Sequence, residues 1–122
     1  MFHGARILVV EDEPLIALAL ADEVATAEGV VVGPFSTVGK ALAALSGQGV
    51  VGAILDFRLA DRDVLPVAAV LQEQSVPFVV YTGQDIPQSI RALLPAERIL
   101  RKPMSMGRVV RILAGLVHPQ LI

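Results

Sequence analysis

Short runs of apolar β-forming residues alternate along the chain with segments in which apolar residues recur at helical spacing. The strands are predicted at Arg6–Val10, Val30–Val32 (with an extension to Phe35), Val51–Leu55, Pro77–Tyr81 and Arg98–Arg101. The helices are predicted from Pro14 to Glu28, from the cap Ser36 to Gly47, from Asp63 to Gln74, within Pro87–Leu94, and from Ser105 to Val117. Alternation of this kind is the signature of βαβ units, so the pattern predicts a parallel sheet with helices on both faces.

The composition supports one domain of this class. With 122 residues, of which 54% are hydrophobic and 18% charged, the chain is long enough for a single core over residues 1–122. A net charge of −2 without a basic cluster argues against a nucleic-acid partner, and the absence of cysteine excludes disulfides and thiol chemistry. No signal peptide and no apolar stretch of about 20 residues is present, so we expect a cytoplasmic protein without membrane contact.

Polar residues follow four of the predicted strands at the points where those strands end. These residues are Glu11, Asp12, Asp56, Thr82 and Lys102. Each alone is more typical of a helix cap or a turn, but reactive groups gather beyond the carboxyl ends of parallel strands, and the conjunction favours a site. Strand order 2-1-3-4-5 places Asp12 beside Asp56, so the prediction is α/β, a doubly wound, flavodoxin-like (βα)5 sheet of five parallel strands.

The residues at the strand ends have the chemistry of a divalent metal site. Three carboxylates within a few ångströms repel one another unless a cation compensates. Mg²⁺ takes oxygen ligands, keeps several waters and typically uses one or two carboxylates. We therefore expect Asp12 and Asp56 to bind Mg²⁺ directly, the carbonyl of Arg58 to add a third oxygen, and Glu11 to act through water.

The same residues suit phosphoryl transfer. A carboxylate is a competent nucleophile towards phosphorus, and the product is an aspartyl phosphate. Because phosphoryl transfer depends on positioning and charge neutralisation, the catalytic set is predicted to be Asp56, Thr82 and Lys102. Thr82 would donate its hydroxyl to a phosphoryl oxygen, and Lys102 would supply positive charge.

With these residues in place, the chain resembles the receiver domain of two-component response regulators over essentially its whole length. The resemblance implies that Glu11, Asp12 and Asp56 hold Mg²⁺ and that Asp56 is the site of phosphorylation. It implies further that Thr82 is the switch hydroxyl and that Lys102 precedes a cis-bonded proline. A cis bond is also what Lys102 needs in order to turn back over the strand ends towards Asp56.

One segment resembles a particular group of receivers. Residues 76–83, Val-Pro-Phe-Val-Val-Tyr-Thr-Gly, look like the "PFxFATGY" subfamily, whose members include many stand-alone receivers linked to sensor histidine kinases of the HWE type. Two positions depart from the pattern. Most receivers carry an aromatic switch residue three positions before the lysine, where this chain has Ile99, and Gln84 replaces the final aromatic of the subfamily motif. Tyr81, next to Thr82, is either a participant in switching or an ordinary strand residue.

The resemblance implies a signalling module that accepts a phosphoryl group from a histidine kinase or a histidine phosphotransfer protein. It would act by protein contact, as a phosphate shuttle or as a sink, and not as an enzyme beyond its own phosphorylation and dephosphorylation. A phosphatase resembling haloacid dehalogenases is disfavoured, because the first strand is followed by Glu11-Asp12-Glu13 in place of Asp-x-Asp and no cap insertion is present. A pseudo-receiver that binds partners without phosphorylation is the alternative.

The first predicted helix carries more apolar residues than one buried face needs. Ile16, Leu20 and Val24 suffice to pack on the sheet, so Leu15 and Leu18 should project elsewhere. The last helix is expected to flank the first and to offer Val110 and Val117 beyond its own core stripe. These features predict a homodimer or a partner contact through the first and last helices, with the face of the fourth helix, fifth strand and fifth helix as the other candidate. His3 and His118 are interpreted as structural residues.

Overall fold

A five-stranded parallel sheet with helices on both faces forms the frame of the protein, in a computed structural model that describes residues 1–119. The strands are β1 (Arg6–Val10), β2 (Val30–Phe35), β3 (Gly52–Leu55), β4 (Phe78–Thr82) and β5 (Ile99–Arg101). The helices are α1 (Pro14–Thr26), α2 (Val38–Leu45), α3 (Leu65–Glu73), α4 (Gln88–Arg91) and α5 (Met106–Val117), and a short 3-10 helix, Ala96–Arg98, precedes β5. The last three residues of the predicted domain, 120–122, lie outside the described ones. Within residues 1–119, no helix is long and apolar enough to cross a bilayer.

The strand order is β2-β1-β3-β4-β5, and every neighbouring pair is parallel, as predicted. Val10 of β1 lies opposite Leu55 of β3, so the residues that follow these two strands leave the sheet side by side. The same holds for β4 and β5, where Thr82 lies opposite Arg101. The four predicted polar clusters therefore lie at one edge of the sheet.

The sheet separates two apolar clusters, because successive strand residues point to opposite faces. In β1, Ile7 and Val9 face α1 and α5, whereas Leu8 and Val10 face α2 and α3. All four side chains are fully buried. Strands covered on both faces read as continuous apolar runs, which is why the sequence shows no polar alternation in β1, β3 and β4.

Several helix ends differ from the predicted ones. Helix α1 ends at Thr26, two residues before the predicted end, and Glu28 then adopts a left-handed conformation with φ 68°. The cap of α2 is Thr37 and not Ser36: the Thr37 side chain accepts a hydrogen bond from the backbone N–H of Lys40 at 3.2 Å. Helix α3 begins at Leu65, because Asp63 lies in the preceding loop and accepts a hydrogen bond from the Leu65 N–H. Which of two adjacent residues caps a helix depends on the conformation of the loop that precedes it.

Helix α5 buries a wider face than predicted. Val110 is only 2% exposed, so its predicted surface position is wrong. The reason is that α5 packs on α1 as well as on the sheet, and Val110 lies within the buried stripe. On α1, by contrast, Leu15 and Leu18 are exposed by 78% and 66%, as predicted.

The start of the chain is fixed to the end of α5. Phe2 is fully buried, and its N–H donates to the carbonyl of Ala27 at 2.9 Å. Nε2 of His118 lies 3.1 Å from the Phe2 carbonyl oxygen, and the ring of His3 packs edge-on against the His118 ring with centroids 5.5 Å apart. These contacts are consistent with a structural role for both histidines, and they lie at the opposite edge of the sheet from the predicted site.

Candidate functional site

Three carboxylates meet at the carboxyl ends of β1 and β3. Glu11, Asp12 and Asp56 each place one carboxylate oxygen within 4.8 Å of the others, which is the convergence that the sequence predicts. The N–H of Asp56 donates to the carbonyl of Val10 at 2.8 Å, so backbone pairing of β1 with β3 fixes the two acidic segments relative to each other. Glu11 is buried, Asp56 is partly buried and Asp12 is exposed. The group forms a pocket that is open on the side of Asp12.

Lys102 supplies the positive charge of this pocket. Its Nζ lies 2.9 Å from Oε1 of Glu11 and 3.6 Å from Oδ2 of Asp56. The backbone N–H of Lys102 donates to the Thr82 carbonyl at 2.9 Å, and the Lys102–Pro103 bond is cis, as predicted. Desolvation lowers the pKa of Lys102, but the hydrogen bond to Glu11 and the charge of Asp56 outweigh it, and the net shift is upward. Lys102 therefore remains an ammonium group.

The surroundings of Glu11 oppose the ionisation of its carboxyl group. Burial, followed by its interaction with Asp56, raises the pKa of Glu11 to about 7, although Lys102 and the Glu13 backbone act in the opposite direction. Both of its oxygens are occupied: Oε1 by Lys102, and Oε2 by the N–H of Glu13 at 3.2 Å. One ammonium does not balance three carboxylates, so the pocket retains an excess of negative charge.

Thr82 ends β4 beside the acidic pocket. The residue is fully buried, and its Oγ1 accepts a hydrogen bond from the N–H of Gln84 at 3.2 Å. Accepting this bond leaves the hydroxyl proton of Thr82 available for donation. A β-carbon added at Gly83 would lie 3.6 Å from Cδ of Lys102, which is an ordinary contact distance. Lys102 therefore does not sterically require a glycine here, although the glycine leaves the approach open.

The loop after Asp56 carries Arg58, the predicted carbonyl ligand. Its turn is closed by backbone hydrogen bonds from Leu59 to Arg62 at 3.0 Å and from Val64 to Phe57 at 2.8 Å. Arg58 also pairs with Asp63 in an isolated antiparallel bridge. The chain therefore passes through Arg58 in a compact loop, directly beyond the acidic pocket.

Asp61 is a residue of this region that sequence reasoning missed. Its carboxylate accepts hydrogen bonds from the N–H groups of Val38 at 2.9 Å and Gly39 at 3.3 Å, and the first of these bonds is the largest cause of its lowered pKa. The neighbouring Ala60 N–H donates to the carbonyl of Ser36 at 3.2 Å. The loop is thereby fixed to the first turn of α2. No local sequence signal pairs an aspartate with a helix start 23 residues earlier.

Tyr81 lies beneath Lys102, a contact that the sequence left undecided. The Lys102 Nζ is 5.4 Å from the centroid of the Tyr81 ring, within the range of a cation–π interaction. The Tyr81 hydroxyl donates to the carbonyl of Met104 at 2.6 Å. Burial raises the pKa of Tyr81, although the charge of Lys102 acts in the opposite direction, so the phenol keeps the proton that it donates.

Ile99 occupies the position where most receivers carry an aromatic residue. It begins β5, is partly buried and lies beside a cavity of about 110 Å³. The cavity is lined by Gln84, Ile86, Arg91, Ala96, Ile99 and Arg101. An aliphatic side chain therefore borders this cavity.

An open cleft borders the acidic pocket between the start of α1 and the connection from β2 to α2. Its volume is about 580 Å³, and its walls include Asp12, Leu18, Phe35 and Lys40. The cleft combines apolar side chains with two acids, Glu11 and Asp12, and one ammonium, that of Lys40. A protein that approached Asp56 from this side would contact both the cleft and the exposed leucines of α1.

Comparison with known proteins identifies solved structures of similar fold. No protein-family model matches the sequence, and no curated protein is significantly similar to it. The solution structure of SdrG from Sphingomonas melonis Fr1 is 35% identical with a TM-score of 0.76, over 96% of this chain and 98% of SdrG. The BeF3-activated conformation of SdrG from Pseudomonas melonis Fr1 is 37% identical with a TM-score of 0.70, over 96% and 99% of the two chains.

Two further structures carry the name of the family. The non-phosphorylated HemR receiver domain from Leptospira biflexa is 23% identical over 93% of this chain and 94% of its own, and its TM-score of 0.77 shows the common fold. The response regulator PhyR from Brucella abortus is 25% identical over 97% of this chain with a TM-score of 0.76, and this chain spans 49% of PhyR. With similarity over nearly its whole described length, the chain belongs to the receiver-domain family of response regulators.

Proposed function

We propose that the protein is a phosphoacceptor signalling module in which Asp56 receives the phosphoryl group. The observation that carries this proposal is the placement of Lys102 Nζ between Glu11 and Asp56, at 2.9 and 3.6 Å, in a pocket with an excess of carboxylates. In the step proposed, a carboxylate oxygen of Asp56 forms a bond to phosphorus. The bond from phosphorus to the donor breaks, the donor keeps that electron pair, and an acyl phosphate results.

The donor set fits Mg²⁺, because every group that could bind an ion in this pocket is an oxygen. Asp12 and Asp56 would hold the ion directly, with the Arg58 carbonyl as a third ligand. Glu11 would act through water, since Lys102 and the Glu13 N–H occupy its oxygens. When bound, the ion supplies two positive charges to the pocket.

The chain's own residues then have distinct tasks. Lys102 would exchange its contact with the carboxylates for one with a phosphoryl oxygen, which adds charge-assisted hydrogen bonding to the product. Thr82 would donate its free hydroxyl proton to another oxygen. The module would catalyse only its own phosphorylation and hydrolysis, and it would not act as an enzyme on other substrates.

Relatives support a phosphoryl chemistry. SdrG has a conformation activated by BeF3, and the HemR receiver domain is described in a non-phosphorylated form. The likeness of residues 76–83 to the PFxFATGY group supports a sensor histidine kinase, of the HWE type, or a histidine phosphotransfer protein as the donor. The output would follow from contact with other proteins or from shuttling of the phosphoryl group.

Leu15 and Leu18 are the proposed contact residues for a protein partner or for a second copy of the chain. They are exposed on α1, and Leu18 also lines the cleft beside Asp12. Because Val110 is buried, α5 contributes less to this surface than the sequence predicts. The surface therefore centres on α1.

Mass spectrometry after incubation with acetyl phosphate and Mg²⁺ tests the assignment. The wild-type protein should gain one phosphoryl group, and Asp56→Asn should gain none. Asp22→Asn, which removes a charge from the exposed side of α1, is the matched control and should gain the group normally. A wild-type protein that stays unmodified would favour the pseudo-receiver alternative, and a modified Asp56→Asn protein would place the acceptor elsewhere.

Mg²⁺ binding is tested separately by thermal or urea unfolding. At ten times its dissociation constant, an ion that binds only the native state stabilises it by about 1.4 kcal/mol. Asp12→Asn should lose most of this gain, whereas Asp22→Asn should keep it. An equal gain in all three proteins would place the ion outside the acidic pocket.

A further inference from the structure

Tyr81 contacts both the ammonium group of Lys102 and the backbone that follows this residue. The aromatic ring lies under Nζ at 5.4 Å, and the hydroxyl binds the Met104 carbonyl at 2.6 Å. Tyr81 is 4% exposed, and its ring packs in the same apolar cluster as Leu100 and Val109. A ring fixed in this way has little freedom to move with Lys102.

The Lys102 side chain needs such support. A lysine ammonium is a point charge on a flexible four-carbon stem, so its position is set by what surrounds it. On one side, Lys102 is drawn towards Glu11 and Asp56. Both carboxylates would be engaged with an ion or a phosphoryl group during the proposed reaction, whereas the contacts from Tyr81 involve neither of these groups.

The backbone contact acts on the same element. The N–H of Met104 donates to the carbonyl of Arg101 at 3.0 Å, which closes a turn around Lys102 and Pro103. The Tyr81 hydroxyl binds the carbonyl at the end of this turn, just before Ser105 caps α5. Tyr81 thus joins the end of β4 to the segment that leads from Lys102 into α5.

We propose that Tyr81 is a positioning residue for phosphoryl transfer, which holds the Lys102 ammonium over the acidic pocket through its ring and its hydroxyl. This inference rests on the proposed function for its effect on rate, but not for its effect on Lys102 itself.

Nuclear magnetic resonance tests the position of Lys102 without phosphorylation. The chain has two lysines, Lys40 and Lys102, so protein labelled at lysine gives two sets of side-chain signals, with the exposed Lys40 as reference. Protons above an aromatic ring are shielded, so the Lys102 Hε signals should lie upfield of those of Lys40. Tyr81→Phe keeps the ring that causes the shielding and removes only the hydroxyl. It should retain the shielding in part, and the lost part then reports movement of Lys102 away from the ring.

The rate of phosphorylation by acetyl phosphate at saturating Mg²⁺ tests the catalytic consequence. Tyr81→Phe should slow the reaction by about fivefold, the factor for one hydrogen bond, and Tyr81→Leu should slow it further. In a Lys102→Met background, both substitutions at Tyr81 should change the residual rate by less than about twofold, because their effect acts through the ammonium. Mg²⁺ affinity should stay unchanged, since Tyr81 contacts no proposed ligand of the ion.

Val79→Ala is the control for damage to the core. Val79 lies two residues earlier on the same face of β4 and in the same apolar cluster, but it does not contact Lys102 through any hydrogen bond or ring. It should lower stability and leave the Lys102 signals in place. Lys102 signals that are unaltered in Tyr81→Phe, or equal rate losses with and without Lys102, overturn the proposal. A wild-type protein that is not phosphorylated refutes the proposed function, and the magnetic resonance result then decides the role of Tyr81.

Discussion

Raising the pH of the metal-free protein from about 5 to about 8 should lower its free energy of unfolding, because Glu11 must then ionise inside the pocket. Its carboxyl group is almost completely shielded from water and lies close to Asp56. In the unfolded chain the same group is hydrated and far from other acids. The native state therefore holds a proton in a pH range in which the unfolded state has released it.

The size of the effect follows from the pKa of Glu11, which rises from 4.5 to about 7 on folding. Each unit corresponds to about 1.4 kcal/mol, so the full cost of ionising Glu11 is about 3 kcal/mol. The free energy of unfolding falls as the pH rises, as expected for an acid whose pKa is raised in the native state. Below pH 4.5 the cost is absent, it grows as the pH rises towards 7, and above that value it is constant.

Urea unfolding followed by circular dichroism, in buffer with a chelator, measures this dependence. Glu11→Gln is the matched variant, since its amide has the shape of the carboxyl group but does not ionise. Both proteins contain His3 and His118, so any contribution of the histidines cancels in the comparison. The wild-type protein should lose up to about 3 kcal/mol more than the variant across this pH range. Added Mg²⁺ should remove most of that loss in the wild type.

Two results would contradict this reasoning. If both proteins lose the same free energy of unfolding between the two pH values, Glu11 does not titrate with a raised pKa. If the difference is present but Mg²⁺ leaves it unchanged, the cation does not act on the charge of this pocket.

Three further substitutions test the packing of the fold and its surface. In Gly52→Ala, the new β-carbon would lie 2.8 Å from Cγ2 of Val117. Urea unfolding should therefore show a free energy of unfolding lower by about 1–3 kcal/mol. An unchanged midpoint would mean that α5 shifts to accommodate the β-carbon without loss of stability. Ser105→Ala removes the side chain that accepts from the Arg108 N–H at 3.2 Å, and the same measurement should show a loss of about 1 kcal/mol. Leu18→Glu should reduce self-association in light scattering, and a monomer for both wild type and variant contradicts the homodimer.

The sequence predicts the frame of the protein well because its signals are local. Runs such as Ile7–Val10 identify buried strands, and the acids at the ends of the first and third strands favour an order in which those strands are neighbours. The positions of Glu11, Asp56 and Lys102 in one pocket follow from that order and from the shared edge of a parallel sheet. Their burial and distances do not follow, since these depend on the helices that close the pocket.

The features that the sequence did not predict depend on contacts between distant segments. Val110 is apolar whether it faces solvent or a helix, and only the packing of α5 on α1 decides between the two. A tyrosine is a typical strand residue whether or not a lysine lies above its ring, so the sequence does not predict the contact of Tyr81 with Lys102. In β2, Gly33 adopts a φ of 106° where a β-carbon would lie 2.8 Å from the Val9 carbonyl oxygen. This irregularity interrupts the register with β1. Gly33-Pro34 marks a local break in the sequence, but the shift in register depends on how β2 pairs with β1.

The fixation of the loop by Asp61 has a consequence for the proposed binding of an ion in the pocket. A loop that must become ordered when a ligand arrives spends part of its binding free energy on lost conformational entropy. Here the backbone bonds of residues 57–64 and the Asp61 carboxylate on α2 have already ordered the segment during folding. The carbonyl of Arg58 is thus preorganised, and Asp61→Ala should weaken Mg²⁺ binding through entropy although Asp61 is not among the proposed ligands.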